Sequence, residues 1–213
     1  GGTYDDGTIF EYNYISNNFN KKFDFLSQTS GGDPSGSLME ATNGKLYGLT
    51  VNGGSFGRGV IFEYDYISNT FTKMVDLTDS MGKSPLGSLI QATNGNLYGM
   101  TLSGGTNDEG VIFEYDFVTN TYTKKVEFDS VAGKTPTGSL MQATNGKLYG
   151  MPDQGTYLVG IIMEYDYVNN TYIDKYHFNG PNGAWPIYNH LIEINIPSGT
   201  QEITDALETA VYP

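Results

Sequence analysis

A segment of about fifty residues recurs along this chain, and that recurrence limits the folds that the chain can adopt. Segments of the Ile-Phe-Glu-Tyr type begin at residues 9, 61, 112 and 162, and Ala-Thr-Asn-Gly occurs at 41–44, 92–95 and 143–146. A repeat of this length is one supersecondary unit, which buries its apolar face only by stacking on its neighbours. The sequence therefore predicts one repeat domain, and it says more about architecture than about activity.

Each repeat contains four short extended runs and no helical stripe. In one copy the runs cover 36–41, 45–50, 60–66 and 71–77. Asn43-Gly44 separates the first two, and such a pair between apolar runs is a hairpin signal with positive φ expected at both residues. Asn69 turns the chain again before the fourth run, in which apolar and polar residues alternate.

Four antiparallel strands per repeat predict an all-β fold, namely a β-propeller or part of one, built of four-stranded antiparallel blades of about 51 residues. The predicted boundaries are a partial blade at 1–28, full blades at 36–78, 87–129 and 138–179, a divergent last strand at 186–196, and a linker at 197–213. Six of the eleven basic residues are lysines on the fourth strands, which suits an edge position. Either the last strand joins the opening strands in a four-bladed ring, or further blades complete a larger one.

The third run of each repeat carries the aromatic residues expected in the core. Phe62, Tyr64 and Tyr66 share one face, with equivalents at Phe10, Tyr12 and Tyr14. The opposite face carries a glutamate in every copy, which is expected to accept hydrogen bonds from backbone amides or from a tyrosine of the next blade. Calcium binding by these carboxylates is the alternative, and no other cofactor is indicated.

Composition excludes several classes of partner and chemistry. The 213 residues include 24 acidic and 11 basic ones, for a net charge of −13, so nucleic acid and anionic membranes are not expected partners. Because cysteine is absent, there are no disulfides or thiolate sites. No apolar run is long enough for a transmembrane segment. The opening Gly1-Gly2, without Met, suggests a processed or truncated piece of a longer protein.

Residues 94–101 (Asn-Gly-Asn-Leu-Tyr-Gly-Met-Thr), the doublet Gly104-Gly105 and residues 110–113 (Gly-Val-Ile-Phe) together resemble the GloVer tandem-repeat family. The resemblance recurs over about residues 1–180. It implies a secreted or surface-anchored bacterial repeat protein with a propeller fold and no assigned catalytic residues. Kelch repeats have a similar length, but their blade tryptophan is missing here.

Two further resemblances concern export and modification. Val211-Tyr212-Pro213 is similar to the opening of the C-terminal sorting tail of type IX secretion cargo, which implies the secretion machinery as a partner. Ser80 and Ser130, each within an Asp-Ser-apolar tripeptide, resemble the O-glycosylation acceptors of bacteria with that secretion route.

Sequence variation between the repeats is concentrated in one loop, between the glycine doublet and the glycine that opens the third run. Scaffolds that are constant elsewhere and varied in one loop are typical of binding surfaces. The candidate ligand-binding residues are Tyr4, Phe56, Arg58, Asp108 and Tyr157.

The leading functional interpretation is a non-catalytic binding or display module at the bacterial surface, with a glycan or protein ligand. The alternatives are a passive structural passenger and a polysaccharide-active enzyme with an unrepeated site. Catalytic motifs are not visible in the sequence, so no catalytic residues are assigned.

Overall fold

The computed structural model describes residues 1–129, 133–154, 159–187, 189–195 and 201–204, with the backbone alone for 195 and 201–204. The strands and the one helical turn are, in chain order, β1 (Thr8–Asn13), β2 (Asn18–Asp24), α1 (Ser27–Ser30), β3 (Met39–Glu40), β4 (Leu46–Thr50), β5 (Val60–Asp65), β6 (Thr70–Asp76), β7 (Ile90–Gln91), β8 (Leu97–Thr101), β9 (Val111–Asp116), β10 (Thr121–Glu127), β11 (Lys134–Pro136), β12 (Met141–Gln142), β13 (Leu148–Gly150), β14 (Pro152–Gln154), β15 (Ile161–Asp166), β16 (Thr171–His177), β17 (Ile192–Asn195) and β18 (Gln201–Thr204).

Three of the sheets have four antiparallel strands each, which confirms the all-β prediction. Their strand orders are β3-β4-β5-β6, β7-β8-β9-β10 and β12-β13-β15-β16, and we call them the second, third and fourth sheets. Among the described strands, the first sheet consists of β1 and β2, and β17 pairs with β18 in a separate hairpin. The lysine-bearing strands β6, β10 and β16 lie at sheet edges, as expected.

Each sheet packs against the next one along the chain, and the core lies in these contacts. Between the second and third sheets, Tyr47 and Ile61 pack with Phe113 and Tyr115. Equivalent clusters join the first sheet to the second, the third to the fourth, and the fourth to the segment around Leu191. The predicted stacking of the repeats is therefore present in the structure.

The turn between the first two strands differs from the predicted one. Gly44 has φ of +77°, but Asn43 does not have positive φ. The Gly44 N–H donates to the Ala41 carbonyl at 2.8 Å, and the Ala41 N–H donates to the Lys45 carbonyl at 2.9 Å. This is a three-residue hairpin loop with glycine in the left-handed position. The Asn43 side chain is then free to donate to the Tyr47 hydroxyl at 2.9 Å.

The aromatic face of the third strands is buried only where a second strand covers it. Phe62 and Tyr64 are buried, as predicted, whereas Phe10 and Tyr12 of β1 are exposed. The prediction that the β1 aromatics belong to the core was therefore wrong, because β1 pairs only with β2 among the described residues. Tyr14 and Tyr66, also predicted to be buried, are exposed. Their equivalents Phe117 and Tyr167 are partly buried, because each packs on a tyrosine of the preceding sheet, Tyr47 or Tyr98.

The first strands are shorter than predicted because their opening residues contact the next repeat. Only Met39–Glu40 forms a strand in the segment predicted at 36–41. The Ser37 N–H donates to the Ser88 hydroxyl at 2.8 Å, and the Ser88 N–H donates to the Ser139 hydroxyl at 2.8 Å. A β-carbon on Gly36 would lie 2.4 Å from the Gly87 carbonyl oxygen, so the approach requires glycine.

The segments between repeats and at the end of the chain add pairings that the sequence did not predict. β11 pairs with β14, and isolated bridges at Gly32–Asn52 and Lys83–Ser103 occupy the same place in the earlier repeats. Strand β17 covers part of the predicted 186–196 strand. The predicted linker at 197–213 includes β18, which pairs with β17. Among the described residues, no helix is long and apolar enough to cross a membrane.

Candidate ligand-binding surface

The varied loops have a fixed glycine frame. In the second sheet, Gly53, Gly54 and Gly59 all have positive φ, and the Gly59 N–H donates to the Gly53 carbonyl at 3.1 Å. A β-carbon on Gly54 would lie 2.4 Å from a carboxylate oxygen of Asp76, so that position also requires glycine for space. The Gly104–Gly110 loop closes by the same hydrogen bond, at 3.1 Å.

The first residue of each loop is tied to the end of the fourth strand. The Ser55 N–H and hydroxyl both donate to Asp76, at 2.8 Å each, and Asp76 is also 2.9 Å from the Lys73 ammonium. Burial raises the pKa of Asp76, but the hydrogen bonds from Lys73 and Ser55 outweigh it, so the net pKa is lowered. Thr3 and Thr106 make equivalent bonds to Asp24 and Glu127. Variation is thus confined to the three residues that follow.

Two of the five predicted contact residues present aromatic rings to solvent. Tyr4 is 54% exposed and Phe56 is 61% exposed, and they hold equivalent places in successive loops. Tyr157, the equivalent residue in the last loop, lies outside the described residues, as does Ser130. Ser80 is exposed, and its hydroxyl lies 3.2 Å from the Thr78 hydroxyl.

The other two predicted residues, Arg58 and Asp108, are joined by a chain of ion pairs. Arg58 Nε lies 2.9 Å from Asp79, Lys83 Nζ lies 3.2 Å from Asp79, and Lys83 Nζ lies 2.8 Å from Asp108. Asp79 and Lys83 belong to the segment between the second and third sheets. The varied loops and the segments between repeats therefore share one face, and this face is called the loop surface.

Hydrogen bonds shift the acid–base equilibria of this chain of ion pairs. Lys83, followed by Arg58, lowers the pKa of the Asp79 carboxyl. Lys83, followed by the Gly104 N–H, lowers the pKa of Asp108. The pKa of Lys83 is raised by Asp108 and then by Asp79. All three groups therefore remain charged at neutral pH.

Acid is expected to remove the contribution of this chain of ion pairs to stability. A carboxyl whose folded pKa lies below its unfolded value of about 3.9 stabilises the fold above that pH, and the effect is lost as pH falls through the folded pKa. Asp79→Asn should therefore show a shallower fall of melting temperature than the wild type between about pH 5 and 2. Calorimetry across this range, with Asp108→Asn for comparison, measures the difference. Parallel curves for all three proteins would contradict the expectation.

Trp185 is a loop-surface residue that the sequence analysis did not select. Its side chain is exposed (63% for the residue), and its backbone N–H donates to the Val159 carbonyl at 3.0 Å. The equivalent bond in an earlier repeat runs from the Ser84 N–H to the Arg58 carbonyl, also at 3.0 Å. The sequence feature that could have identified Trp185 is that it is the single tryptophan and lies outside the repeated pattern.

A second concave region lies where the first strands begin. One cavity of about 230 Å³ and a neighbouring one of about 420 Å³ share Ser37, Ser88, Ser139 and His190 in their linings. His190 takes the position that serine holds in the other three repeats. The serine hydroxyls accept hydrogen bonds from the backbone of the preceding repeat, which is an architectural role.

In the complete sheets, each repeated glutamate accepts a hydrogen bond from a tyrosine of the same sheet. Glu63 accepts from the Lys45 ammonium and the Tyr47 hydroxyl, at 2.5 Å each. Tyr47 belongs to the same sheet, so the expectation of a tyrosine from the next repeat was wrong. Across the described residues, no group of three or more acidic or histidine side chains could hold a metal ion.

These features define a tandem-repeat, all-β protein in which the complete repeats form four-stranded antiparallel sheets. The chain belongs to the Gloeobacter/Verrucomicrobia repeat family, whose sequence profile matches residues 1–158. This match confirms the family that was predicted from the repeated motif. Comparison with curated proteins found no match.

Two solved structures are similar to the chain at low sequence identity. The extracellular domain of a hybrid two-component system from B. thetaiotaomicron is 14% identical, with a TM-score of 0.62 over 94% of this chain and 24% of that one. TolB from Acinetobacter baumannii is 12% identical, with a TM-score of 0.57 over 94% of this chain and 46% of its own. The chain thus spans about a quarter of the first structure and less than half of the second. At these identities the likeness concerns the fold alone.

Proposed function

We propose that the repeats are blades of a β-propeller, or of a section of one, and that the loop surface binds a ligand outside the cell. The regular contact between successive repeats supports the propeller: Ser37 bonds to Ser88, and the Thr42 N–H donates to Gln91 of the next repeat at 2.9 Å. One extracellular domain among the similar structures supports the location.

The observation that carries the binding role is the division of each loop into fixed ends and varied, exposed middles. The glycine frame and the bond to the fourth strand hold the loop in place, while Phe56, Arg58 and their equivalents vary. Rigid placement of exposed side chains lowers the entropy cost of binding. The role needs no catalytic group, so the module is non-catalytic in this proposal.

A hydroxyl-rich ligand such as a surface glycan fits this surface best. Exposed rings at Tyr4 and Phe56 offer apolar faces beside polar groups, and Arg58 and Asp108 offer charged hydrogen-bonding groups. The net charge of −13 disfavours a strongly acidic polymer. A protein is the alternative ligand, and the experiment below also tests for it.

Binding to a glycan array and to surface proteins tests the role. Phe56→Ala and Arg58→Ala are each expected to weaken binding by about tenfold or more, as removal of a central contact does. Ile67→Ala is the matched control, because Ile67 is 84% exposed at the opposite end of the same sheet. Binding that survives both loop variants would refute the loop surface as the site. No binding by the wild type would favour a structural passenger.

We further propose export as type IX secretion cargo, with O-glycosylation at Ser80 and Ser130. The support is the similarity of Val211-Tyr212-Pro213 to a sorting tail and the exposure of Ser80. The test compares the location of the natural protein in a type IX-competent bacterium and in a strain that lacks the translocon. Identical amounts outside both cells would exclude this route.

A further inference from the structure

Trp185 has a backbone conformation that suits its side chain poorly. Its φ is +47°, in the left-handed region. Bulky side chains are rare there, because the β-carbon comes too close to the following carbonyl oxygen. The conformation belongs to the repeat rather than to the tryptophan: the residue before proline also has positive φ in the other three copies, at Asp33, Ser84 and Thr135.

A hydrogen bond to the varied loop accompanies this conformation in all four copies. The backbone N–H of the residue before proline donates to the carbonyl of the fourth residue of the preceding varied loop, at 2.9 to 3.0 Å. These pairs are Asp33–Asp6, Ser84–Arg58, Thr135–Glu109 and Trp185–Val159. The main-chain bond is the same whichever side chain is present. The fold therefore explains the conformation but not the choice of tryptophan.

The side chains at the equivalent positions are short and polar, and two of them bond locally. Asp33 accepts from the Asn52 amide at 2.8 Å, and the Thr135 hydroxyl donates to Asp153. Trp185 instead remains 63% exposed, so burial of its ring offsets little of the strain. Strained residues are found where the side chain serves a ligand site. The exposed indole ring is therefore the feature that needs a functional explanation.

The segment around Trp185 differs in charge from its equivalent in the second repeat. Residues 179–187 include no acidic or basic residue, whereas the same segment of the second repeat carries Asp79 and Lys83. Gly180 and Ala184 take those two places. On a chain with a net charge of −13, an indole ring in an uncharged segment favours a neutral ligand.

Two exposed asparagines precede Trp185 in the same segment. The Asn179 N–H donates to the Asn182 side chain at 2.8 Å, and the Asn182 N–H donates to the Asn179 side chain at 3.2 Å. These reciprocal bonds fix both side chains at the surface. Side-chain amides carry donors and an acceptor, so they suit a ligand that is rich in hydroxyl groups.

We infer that Trp185 is the stacking surface for a pyranose ring of a neutral glycan, and that Asn179 and Asn182 bind its hydroxyl groups. The inference rests on the proposed function, in which the loop surface binds a glycan. A pyranose ring presents C–H groups on its face and hydroxyl groups at its edge, which matches an aromatic ring beside polar side chains. Trp185 thereby determines specificity for neutral over acidic sugars.

Fluorescence provides a direct test, because Trp185 is the single tryptophan of the chain. The probes are neutral hexasaccharides of glucose, mannose and N-acetylglucosamine, with the galacturonate hexamer as the acidic control. At least one neutral hexasaccharide is expected to shift the Trp185 emission to shorter wavelength in a saturable way, while the galacturonate hexamer leaves it unchanged. No saturable shift with any of the neutral probes would overturn the inference.

Substitutions at position 185 separate a binding role from a structural one. Trp185→Asn is expected to weaken calorimetric binding of the neutral hexasaccharide by about tenfold or more, and Trp185→Phe, which keeps an aromatic ring, by less. Because asparagine accepts positive φ more readily, Trp185→Asn should also raise the melting temperature by about 1–3 °C. Ser84→Asn is the matched control at the equivalent position, and it should leave the affinity unchanged.

Equal affinity of Trp185→Asn and the wild type would overturn the inference. A melting temperature lowered by more than about 2 °C in Trp185→Asn would also overturn it, because the ring would then stabilise the fold. The varied loops are tested separately by Phe56→Ala. Binding that is lost in Phe56→Ala but kept in Trp185→Asn would retain the proposed function and refute the role of Trp185, whereas the reverse result would retain Trp185 and refute the varied loop as the contact.

Discussion

Replacing Phe113 by alanine is expected to lower the free energy of unfolding by about 3–5 kcal/mol, whereas the same change at Phe10 should lower it by less than about 1 kcal/mol. Phe113 is fully buried, and its ring centroid lies 5.2 Å from that of Tyr122. It packs in the cluster that joins the second and third sheets. Truncation therefore leaves a cavity between two repeats, where the surrounding sheets cannot collapse.

Phe10 is the matched control, because it holds the same repeat position and the same bulged strand. Its ring stacks on that of Phe19, at 5.1 Å, and both residues are exposed. Urea denaturation of the two variants and the wild type, followed by circular dichroism, measures the difference. Equal losses at the two positions would contradict the burial described here, as would a loss below about 1 kcal/mol for Phe113→Ala.

The second, third and fourth strands of each repeat could be predicted because their signals are local. The third run, predicted at 60–66, forms β5 over Val60–Asp65, and its alternation buries Phe62 and Tyr64 against a neighbouring repeat. The glycine-rich loop between the second and third strands, and the turn with a positive-φ asparagine between the third and fourth, specify hairpins regardless of what lies elsewhere. Repetition then extends the assignment from one copy to the next.

The features that the sequence did not reveal depend on contacts between repeats or on a missing neighbour. Residues 36–38 look like part of a strand, but Ser37 bonds to the next repeat instead of extending the ladder. Phe10 has the pattern of a core residue, and only the lack of a second strand beside β1 exposes it. The β11–β14 pair joins a linker to a loop, and no periodicity marks such a pair.

The loop surface was predictable in position but not in detail. Loop variation identified Arg58 and Asp108, but their connection passes through Asp79 and Lys83, which belong to the following linker. Nothing in the sequence around Asp79 and Lys83 indicates that their side chains form ion pairs with residues of the varied loops. Trp185 was missed for a related reason, since its place on this surface follows from a hydrogen bond to the preceding loop.

The second large effect is expected at Glu164, where alanine should lower the free energy of unfolding by about 2–4 kcal/mol. Glu164 is buried and accepts hydrogen bonds from Lys147 at 2.7 Å and from Tyr149 at 2.6 Å, and it lies 3.3 Å from Lys175. The partly exposed lysines can turn to water, so their loss contributes little. Most of the cost arises because the buried Tyr149 hydroxyl loses its acceptor and a cavity remains.

Two variants separate these contributions at Glu164. Glu11→Ala is the matched control: Glu11 holds the same repeat position, but it is exposed and forms an ion pair with Lys22 at 2.6 Å, so its loss should cost less than about 1 kcal/mol. Glu164→Gln keeps an acceptor for Tyr149 and should cost less than the alanine variant. Urea denaturation that ranks the glutamine variant below the alanine variant would show that the charge, rather than the acceptor, dominates.

The pH dependence of stability provides an independent check on Glu164. Burial raises the pKa of this carboxyl, but the hydrogen bonds from Lys147, Tyr149 and Lys175 outweigh it, so the net pKa is lowered. The charged form therefore stabilises the fold above the unfolded pKa of about 4.3, and this contribution is lost as pH falls through the folded value. Glu164→Gln cannot lose it, so its unfolding free energy should fall less steeply than that of the wild type between about pH 5 and 3. Identical slopes would mean that the carboxylate is not held charged by its three donors, and the cost of Glu164→Ala would then reflect the cavity and the tyrosine alone.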